Sequence, residues 1–180
     1  VGCSDTPTAV VEKSDNPLQN NTVKLLQFNY GDVSIGEGLF SDSYETAKNY
    51  YLGINIDDML YGQRKATYLN TQGGKDLGDF GKGENVLGQW ISGNARFYAN
   101  IKTPELLERV TYLCDSLYEI SGVDPIFSMT NLYVAEKMIQ GCLDLYTLCG
   151  LPKGLEMAKR MVDNMMQDPD YQNPVLGLGD

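Results

Sequence analysis

The sequence predicts an all-α fold built from helical hairpins. Four segments, at about 85–101, 104–120, 130–149 and 153–167, have apolar residues at helical spacing. The first and third are apolar over most of their circumference, whereas the second and fourth each carry one apolar stripe. In a ring of hairpins, inner helices contact outer helices on one side and a central cavity on the other. The alternation therefore predicts two inner and two outer helices.

The composition limits the classes of function. The chain has 180 residues, of which 42% are hydrophobic, and this suits one domain with its own core. The net charge of −10 disfavours binding to nucleic acid and to anionic membrane surfaces. The sequence has no histidine, so the usual base at neutral pH and the commonest transition-metal ligand are missing.

The four cysteines do not suggest a metal site. Cys3, Cys114, Cys142 and Cys149 form no CxxC pair, and the last three lie in helical segments. We expect these three thiols to pack as small hydrophobic groups.

The N-terminal stretch predicts a disordered tether over residues 1–22, followed by a domain over 23–180. The tether is rich in Ser, Thr, Asn, Asp and Pro, a composition that cannot form a packed core. "VGCSD" resembles the end of a bacterial lipobox, with an arbitrary chain start as the alternative. No apolar run reaches transmembrane length, so we expect membrane attachment only through a lipid on Cys3. This interpretation predicts an extracytoplasmic lipoprotein, in the periplasm or at the cell surface.

Between the tether and the hairpins, three local patterns follow one another. Residues 23–36 alternate in part between β-branched or aromatic and polar residues, which predicts one or two short strands. From Ser41 the spacing becomes helical, and Ser41 or Asp42 is the expected cap of a helix near 42–60. That helix can extend to about residue 65 with a break near Gly53. Five glycines in 70–84 then predict an irregular loop, of a length typical of functional or disordered segments. Leu77 and Phe80 favour order, and we expect the loop to lie beside the candidate ligand site.

Local signals mark the ends of the later helices. Thr103 is a predicted N-cap, with Pro104 at the first helical position. Gly150 ends the third hairpin helix, and Pro152 starts the last one.

Two residues of the helix over 85–101 allow alternative interpretations. Asn94 lies within the apolar arc, and we expect its amide to face protein and bond backbone groups, above all those of the 70–84 loop. Contact with a ligand is the alternative. Trp90 is either a core residue or a platform on which a sugar stacks.

The polar arcs of the two predicted inner helices form the candidate ligand site. One arc combines small side chains with Gln89, Ser92 and Arg96. The other arc places a carboxylate, an amide and a carboxylate at intervals of four residues, namely Glu136, Gln140 and Asp144. This pattern suits sugar hydroxyls, although a solvated outer face has the same pattern. Its end carboxylates lie about 12 Å apart along the helix axis, too far for the pair that hydrolyses a glycoside.

Longer segments resemble a known family. "VLGQWISGNARFYANIKTPELLERVTYLCDSLYEI", "NLYVAEKMIQGCLDLYTLCG" and "GLEMAKRMVDNM" are similar, in order and spacing, to the bacterial glycoside hydrolases typified by β-L-arabinofuranosidases. "GLFSDSYETAKNYYLGINIDDMLYGQRKA" is similar to the opening helix of that family. The similarity covers about residues 33–168. The resemblance implies part of an (α/α)6 barrel and an extracytoplasmic enzyme that acts on arabinose-containing plant glycans.

The resemblance also bears on the site residues. Some members of the family have Glu at the position of Ser92 and His at that of Lys137, so their sugar contacts do not carry over to this chain. The patterns and the resemblance together predict a substrate-binding set of Gln89, Trp90, Ser92, Arg96, Glu136, Lys137, Gln140 and Asp144.

The catalytic groups of the family are expected elsewhere. The resemblance implies a zinc-bound cysteine nucleophile and an acid/base glutamate in a later segment that we expect this chain to lack. We therefore expect no catalytic residue, metal ligand or cofactor here, and no activity of this chain without the remainder of the barrel. A truncated glycan-binding or scaffold lipoprotein is the alternative. A helical interaction module is a third possibility, and it would present an apolar groove.

Overall fold

The computed structural model describes residues 28–78, 84–127 and 132–167. The tether over 1–22, with Cys3, lies outside them, so the lipoprotein interpretation stays a prediction. Helices dominate the described ranges, and the all-α class is confirmed. The elements are a 3-10 turn at Tyr30–Asp32 and helices α1 (Leu39–Gly53), α2 (Ile56–Met59), α3 (Tyr61–Ala66), α4 (Glu84–Ile101), α5 (Pro104–Val123), α6 (Leu132–Cys149) and α7 (Pro152–Gln167). None of the helices among these residues is long and apolar enough to span a membrane.

The first part of the domain differs from the prediction in two respects. The described residues contain no strand, and residues 28–36 form the 3-10 turn and extended segments instead. Helix α1 begins at Leu39, earlier than predicted, because Gly38 is the N-cap. The Ser41 hydroxyl accepts from the Gly38 amide at 3.0 Å and donates to the Gly38 carbonyl at 2.8 Å. Ser41 therefore stabilises the start of α1 from within the first turn of the helix.

The predicted break near Gly53 is confirmed. Asn55 ends the break, and its side-chain oxygen accepts hydrogen bonds from the backbone amides of Asp57 and Asp58, at 2.7 and 3.3 Å. This is the capping that restarts a helix after an extended residue. Thr103, Pro104, Gly150 and Pro152 also mark helix ends as predicted.

The inner helices α4 and α6 run in the same direction. Gly88, near the start of α4, lies against Lys137 of α6, and Ala95, further along α4, has its carbonyl 3.9 Å from the Cys149 thiol. Sequence numbers rise together along the contact, so the two helices are parallel.

The outer helices α5 and α7 are parallel to each other as well. Lys153 pairs with Asp115 at 2.8 Å, and Arg160 donates to the Ser121 hydroxyl at 3.0 Å. Two residues join α4 to α5 and two join α6 to α7, so each forms an antiparallel hairpin. This confirms the predicted alternation of inner and outer helices, which is that of part of an (α/α)6 barrel.

Glycines allow the helices to approach one another closely. A Cβ at Gly88 would overlap the Lys137 backbone of α6, and a Cβ at Gly141 would lie 2.7 Å from the Gly88 carbonyl oxygen. A Cβ at Gly154 would likewise overlap the Cys142 carbonyl. Close backbone approach is therefore the reason for glycine at position 88 of α4.

Two of the described cysteines pack in the core, as predicted. Cys114 and Cys142 are buried, and burial raises the pKa of their thiols to about 11 and about 12. Cys149 is half-buried, and burial raises the pKa of its thiol to about 12. All three are free and protonated at neutral pH.

Asn94 faces protein as predicted, but its partners are different. The side chain is fully buried; its amide donates to the Trp90 carbonyl at 2.8 Å, and its oxygen accepts from Arg109 Nε at 2.9 Å. The predicted contact with the 70–84 loop is wrong, because α5 occupies that side of α4. Arg109 in turn donates to the Ile54 carbonyl at 2.8 Å, and burial lowers its pKa. Asn94 thus joins α4 through α5 to the end of α1.

Replacing Asn94 with leucine should lower the free energy of unfolding by about 1–3 kcal/mol, because a partly buried guanidinium would lose an acceptor. Chemical denaturation with a circular-dichroism readout measures this. Asn164→Leu, at an exposed position of α7, is the control and should change stability by less than about 0.5 kcal/mol. Equal stability of Asn94→Leu and the parent protein would contradict the assigned role.

A buried ion pair attaches α2 and α3 to α5. The Arg64 side chain is 2% exposed and contacts Asp57 at 2.5 Å and Ser116 at 2.9 Å. Tyr112 donates to the same Asp57 oxygen at 2.6 Å. Burial disfavours the charged guanidinium, yet the hydrogen bonds with Asp57 and Tyr112 leave the pKa of Arg64 raised. The second half of the broken helix therefore runs along α5 in the outer layer.

The described part of the glycine-rich loop packs on α2. The Lys75 amide donates to Asp58 at 2.7 Å, and Gly74 lies against the Asp57 carbonyl. Leu77 is half-buried against the core. Residues 79–83 lie outside the described residues. Residues 70–78 are ordered as predicted, but they do not line the cavity that the inner helices form.

Candidate functional site

A cleft of about 390 Å³ opens between α1, α4 and α6. Helix α4 contributes its small and polar arc, and α6 contributes part of its polar strip, as predicted. Helix α1 supplies the opposite wall. The lining residues are Ala47, Tyr51, Gly88, Gln89, Ser92, Gly93, Arg96, Phe97, Lys137 and Gln140.

A carboxylate beneath the cleft organises its polar wall. Asp144 is buried, and its two oxygens accept three hydrogen bonds. Ser92 donates at 2.5 Å and Arg96 Nε at 3.2 Å to one oxygen, while Gln140 donates at 2.7 Å to the other. Bonds to a charged acceptor are stronger than bonds between neutral groups, so the three side chains are held in fixed positions.

The opposite wall of the cleft is aromatic. The rings of Tyr51 and Phe97 are in contact, with centroids 6.4 Å apart. Trp90 Nε1 donates to the Tyr51 carbonyl at 3.2 Å, which fixes this residue of α1 against α4. Gly93 lies opposite the Tyr51 ring and leaves space above it.

Six of the eight predicted site residues lie in or directly behind the cleft. Gln89, Ser92, Arg96, Lys137 and Gln140 line the cleft, and Asp144 lies directly behind it. Their contact with a sugar stays a prediction.

Two predicted residues lie outside the cleft. Glu136 is 67% exposed, pairs with Lys137 at 3.3 Å and faces away from the cavity lining. The stacking interpretation of Trp90 is wrong: the ring is 0% exposed in the core, beneath the Arg109 guanidinium, so no sugar can reach it. Its indole contributes to the cleft indirectly, because its hydrogen bond to the Tyr51 carbonyl positions Tyr51.

Sequence reasoning missed the wall that α1 forms. Tyr44, Ala47 and Tyr51 have helical spacing, which predicts a stripe facing the core. In the structure α1 contains no buried residue, and this stripe faces cavities instead. A signal was present in the sequence, since tyrosine combines an apolar ring with a polar tip and suits a wet surface.

A second cavity, of about 870 Å³, continues the cleft and shares Gly93, Arg96 and Phe97 with it. Its walls come from the 3-10 turn region and α1. Asn100 attaches both to α4, because its amide donates to the Tyr30 carbonyl at 2.8 Å and its oxygen accepts from Tyr44 at 2.7 Å. The two cavities are therefore adjacent along α4.

The described residues do not fit a zinc site. Among them, no group of three or more His, Cys, Asp or Glu side chains is placed to hold a metal ion. The three described thiols, with raised pKa values, are also poor sources of the thiolate that zinc binds. A zinc ion of the kind that the resemblance implies therefore has no ligand set in this part of the chain.

Comparison with known proteins identifies the family. The model of the family described as β-L-arabinofuranosidase, GH127 catalytic domain, matches residues 32–174, which is most of the chain. No curated protein and no solved structure matches. The matched range includes every helix described above and both walls of the cleft. The chain therefore belongs to the GH127 family of β-L-arabinofuranosidase-like glycoside hydrolase catalytic domains.

Proposed function

We propose that this chain supplies a glycan-binding cleft to a glycoside hydrolase that acts on arabinose-containing glycans. One observation carries the proposal: the cleft has an aromatic wall facing a wall of polar side chains that are held by hydrogen bonds. A sugar ring has an apolar face of C–H groups and a rim of hydroxyls, so it needs both surfaces at once.

The polar wall offers both acceptors and donors. Because Ser92 and Gln140 donate to Asp144, their oxygens are left to accept hydrogen bonds from sugar hydroxyls. Gln89 is exposed at the cleft, and its amide can both donate and accept. A ligand that binds here meets groups already ordered, which lowers the entropy lost on binding.

The described residues supply binding groups and no pair of catalytic carboxylates. Asp144 is buried and accepts three hydrogen bonds, and Glu136 points away from the cleft. We therefore place bond cleavage in residues other than those described, and we propose that the chain contributes substrate subsites together with the remainder of a barrel. The extracytoplasmic location and the lipid on Cys3 belong to the same proposal.

Binding of a neutral arabino-oligosaccharide, measured by isothermal titration calorimetry, tests the proposed function. Tyr51→Ala removes one of the two rings of the aromatic wall, and we expect at least a tenfold loss of affinity, equivalent to about 1.4 kcal/mol. Gln140→Ala removes a polar group and the bond that orients Asp144, and we expect a loss of similar size.

Lys159→Ala, at an exposed position of α7, is the control and should bind as the parent protein does. Thermal unfolding of each variant shows whether it is folded. If the parent protein does not bind the oligosaccharide, or if folded Tyr51→Ala and Gln140→Ala bind as tightly as the parent, the proposal is wrong.

A further inference from the structure

The charge of the cleft differs from that of the chain. The sequence has 24 acidic and 14 basic residues, yet among the described residues that line the first cavity the two charged side chains, Arg96 and Lys137, are both cationic. The carboxylate closest to the lining, Asp144, is 8% exposed and lies behind the wall. An acidic protein with cations at its ligand surface is suited to an acidic ligand.

We propose that the cleft recognises a glycan that carries a carboxylate, that is, a uronic acid residue next to the arabinose units. The inference rests on the proposed function, because it specifies the substrate class of the same cleft.

Arg96 is positioned to bind a carboxylate. Asp144 engages the Nε of Arg96, at 3.2 Å, and the side chain remains 47% exposed. The terminal Nη groups lie beyond that contact, and the guanidinium also lies over the Tyr30 ring, with Cζ 5.8 Å from the ring centroid. A guanidinium that is held at Nε leaves its outer N–H groups free to bind a carboxylate through two parallel hydrogen bonds.

Lys137 supplies the second cation and the excess positive charge. Asp144 balances the charge of Arg96 within the wall, whereas Lys137 pairs with Glu136, which is 67% exposed. A pair so exposed is weak, because water screens it. The ammonium also lies 4.9 Å from the centroid of the Tyr133 ring. To bind a carboxylate in the cleft, the Lys137 side chain must turn from Glu136, which faces away, toward the cavity that this lysine lines.

The hydrogen-bond inventory of the wall supports the same conclusion. Ser92 and Gln140 use donors on Asp144 and present oxygens, which would repel a carboxylate and attract hydroxyls. The cations present N–H groups and no acceptor. The second cavity shares Arg96 with the first, but there the carboxylate of Glu45 also lines the wall, so the excess of positive charge lies on the side of the first cavity. The carboxylate should therefore bind between Arg96 and Lys137.

Two matched ligands test this inference by calorimetry on the full chain. One is an arabino-oligosaccharide ending in a glucuronate residue, and the other is the same compound with that carboxylate reduced to a primary alcohol. At 20 mM NaCl we expect the acidic compound to bind at least tenfold more tightly, as charge-assisted bonds imply. At 300 mM NaCl we expect a smaller preference, because salt screens the charges.

Substitutions then assign the preference to residues. Arg96→Gln and Lys137→Gln should each lower the ratio of the two affinities at least threefold, because each removes a charge and keeps a polar side chain. Lys159→Gln removes a cation from an exposed position of α7 and should leave the ratio unchanged. Thermal unfolding confirms that each variant is folded.

The outcomes separate this inference from the proposed function. Equal affinity for the two ligands, or a ratio that both cleft variants leave intact, would overturn the inference while the proposed function stands. If neither ligand binds, both fail.

Discussion

Replacing Gly88 with alanine should lower the free energy of unfolding by about 3 kcal/mol, at the upper end of the usual cost of overpacking. The new Cβ would overlap the Lys137 carbonyl group and lie 2.6 Å from the Met138 amide nitrogen. Both are backbone atoms of α6 and cannot rotate away as a side chain can. Helices α4 and α6 must therefore separate, and the cleft between them must change shape.

Gly93→Ala is the matched control on the same helix. A Cβ there would lie 3.6 Å from a ring carbon of Tyr51, which is an ordinary contact. Alanine has the higher helix propensity, so this variant should be as stable as the parent protein or more stable by up to about 1 kcal/mol. Urea denaturation of both variants makes the comparison. If Gly88→Ala is as stable as Gly93→Ala, the close approach of α4 and α6 is wrong.

Replacing Asp57 with asparagine should lower the free energy of unfolding by about 2–4 kcal/mol, because a buried guanidinium would lose its counter-charge. Arg64 is almost fully buried, and its Nε has no hydrogen-bond partner among the described residues. The Asp57 side chain is 22% exposed, so water can partly replace the carboxylate, and the expected cost is therefore below that of a fully buried pair. Denaturant unfolding followed by circular dichroism gives the value.

A double variant isolates the cost of the unpaired charge. Combining Asp57→Asn with Arg64→Met removes both charges and keeps similar volumes, so it should recover much of the stability that Asp57→Asn loses. Tyr112→Phe removes one hydrogen bond to the Asp57 carboxylate but keeps the ion pair, and it should cost about 1.5 kcal/mol, at the low end for a bond to a charged group. A double variant less stable than Asp57→Asn would show that Arg64 is not destabilised by the loss of its partner.

The helical layers were predictable from the sequence because the width of the apolar arc around a helix indicates how many of its sides are covered. The nearly all-round apolar character of 131–149 indicated an inner helix, and it packs between α4 and α7. The break near Gly53 and the cap at Thr103 are local events, and they too were predictable. The start of α1 was not, because it depends on how Ser41 bonds back to Gly38.

Contacts between helices were less predictable than the helices themselves. Asn94 was expected to be buried, but its partner Arg109 belongs to another helix, and only the crossing of α4 and α5 brings the two together. The same limit explains why the sequence pointed to Trp90 as the aromatic residue of the cleft, whereas in the structure Tyr51 lines it. Both rings belong to apolar stripes in the sequence, and periodicity cannot tell which stripe borders a cavity.

The hydrogen bond from Trp90 to the Tyr51 carbonyl gives the protein a built-in optical reporter. The chain has one tryptophan, so its intrinsic indole fluorescence comes from a single place. That place is the dry side of the cleft wall, where the indole is fully buried and bonded to α1. If α1 detaches from α4, the indole loses its acceptor and gains water, and its emission shifts to longer wavelength. The attachment of α1 to α4 can thus be followed in solution by intrinsic fluorescence, without a label.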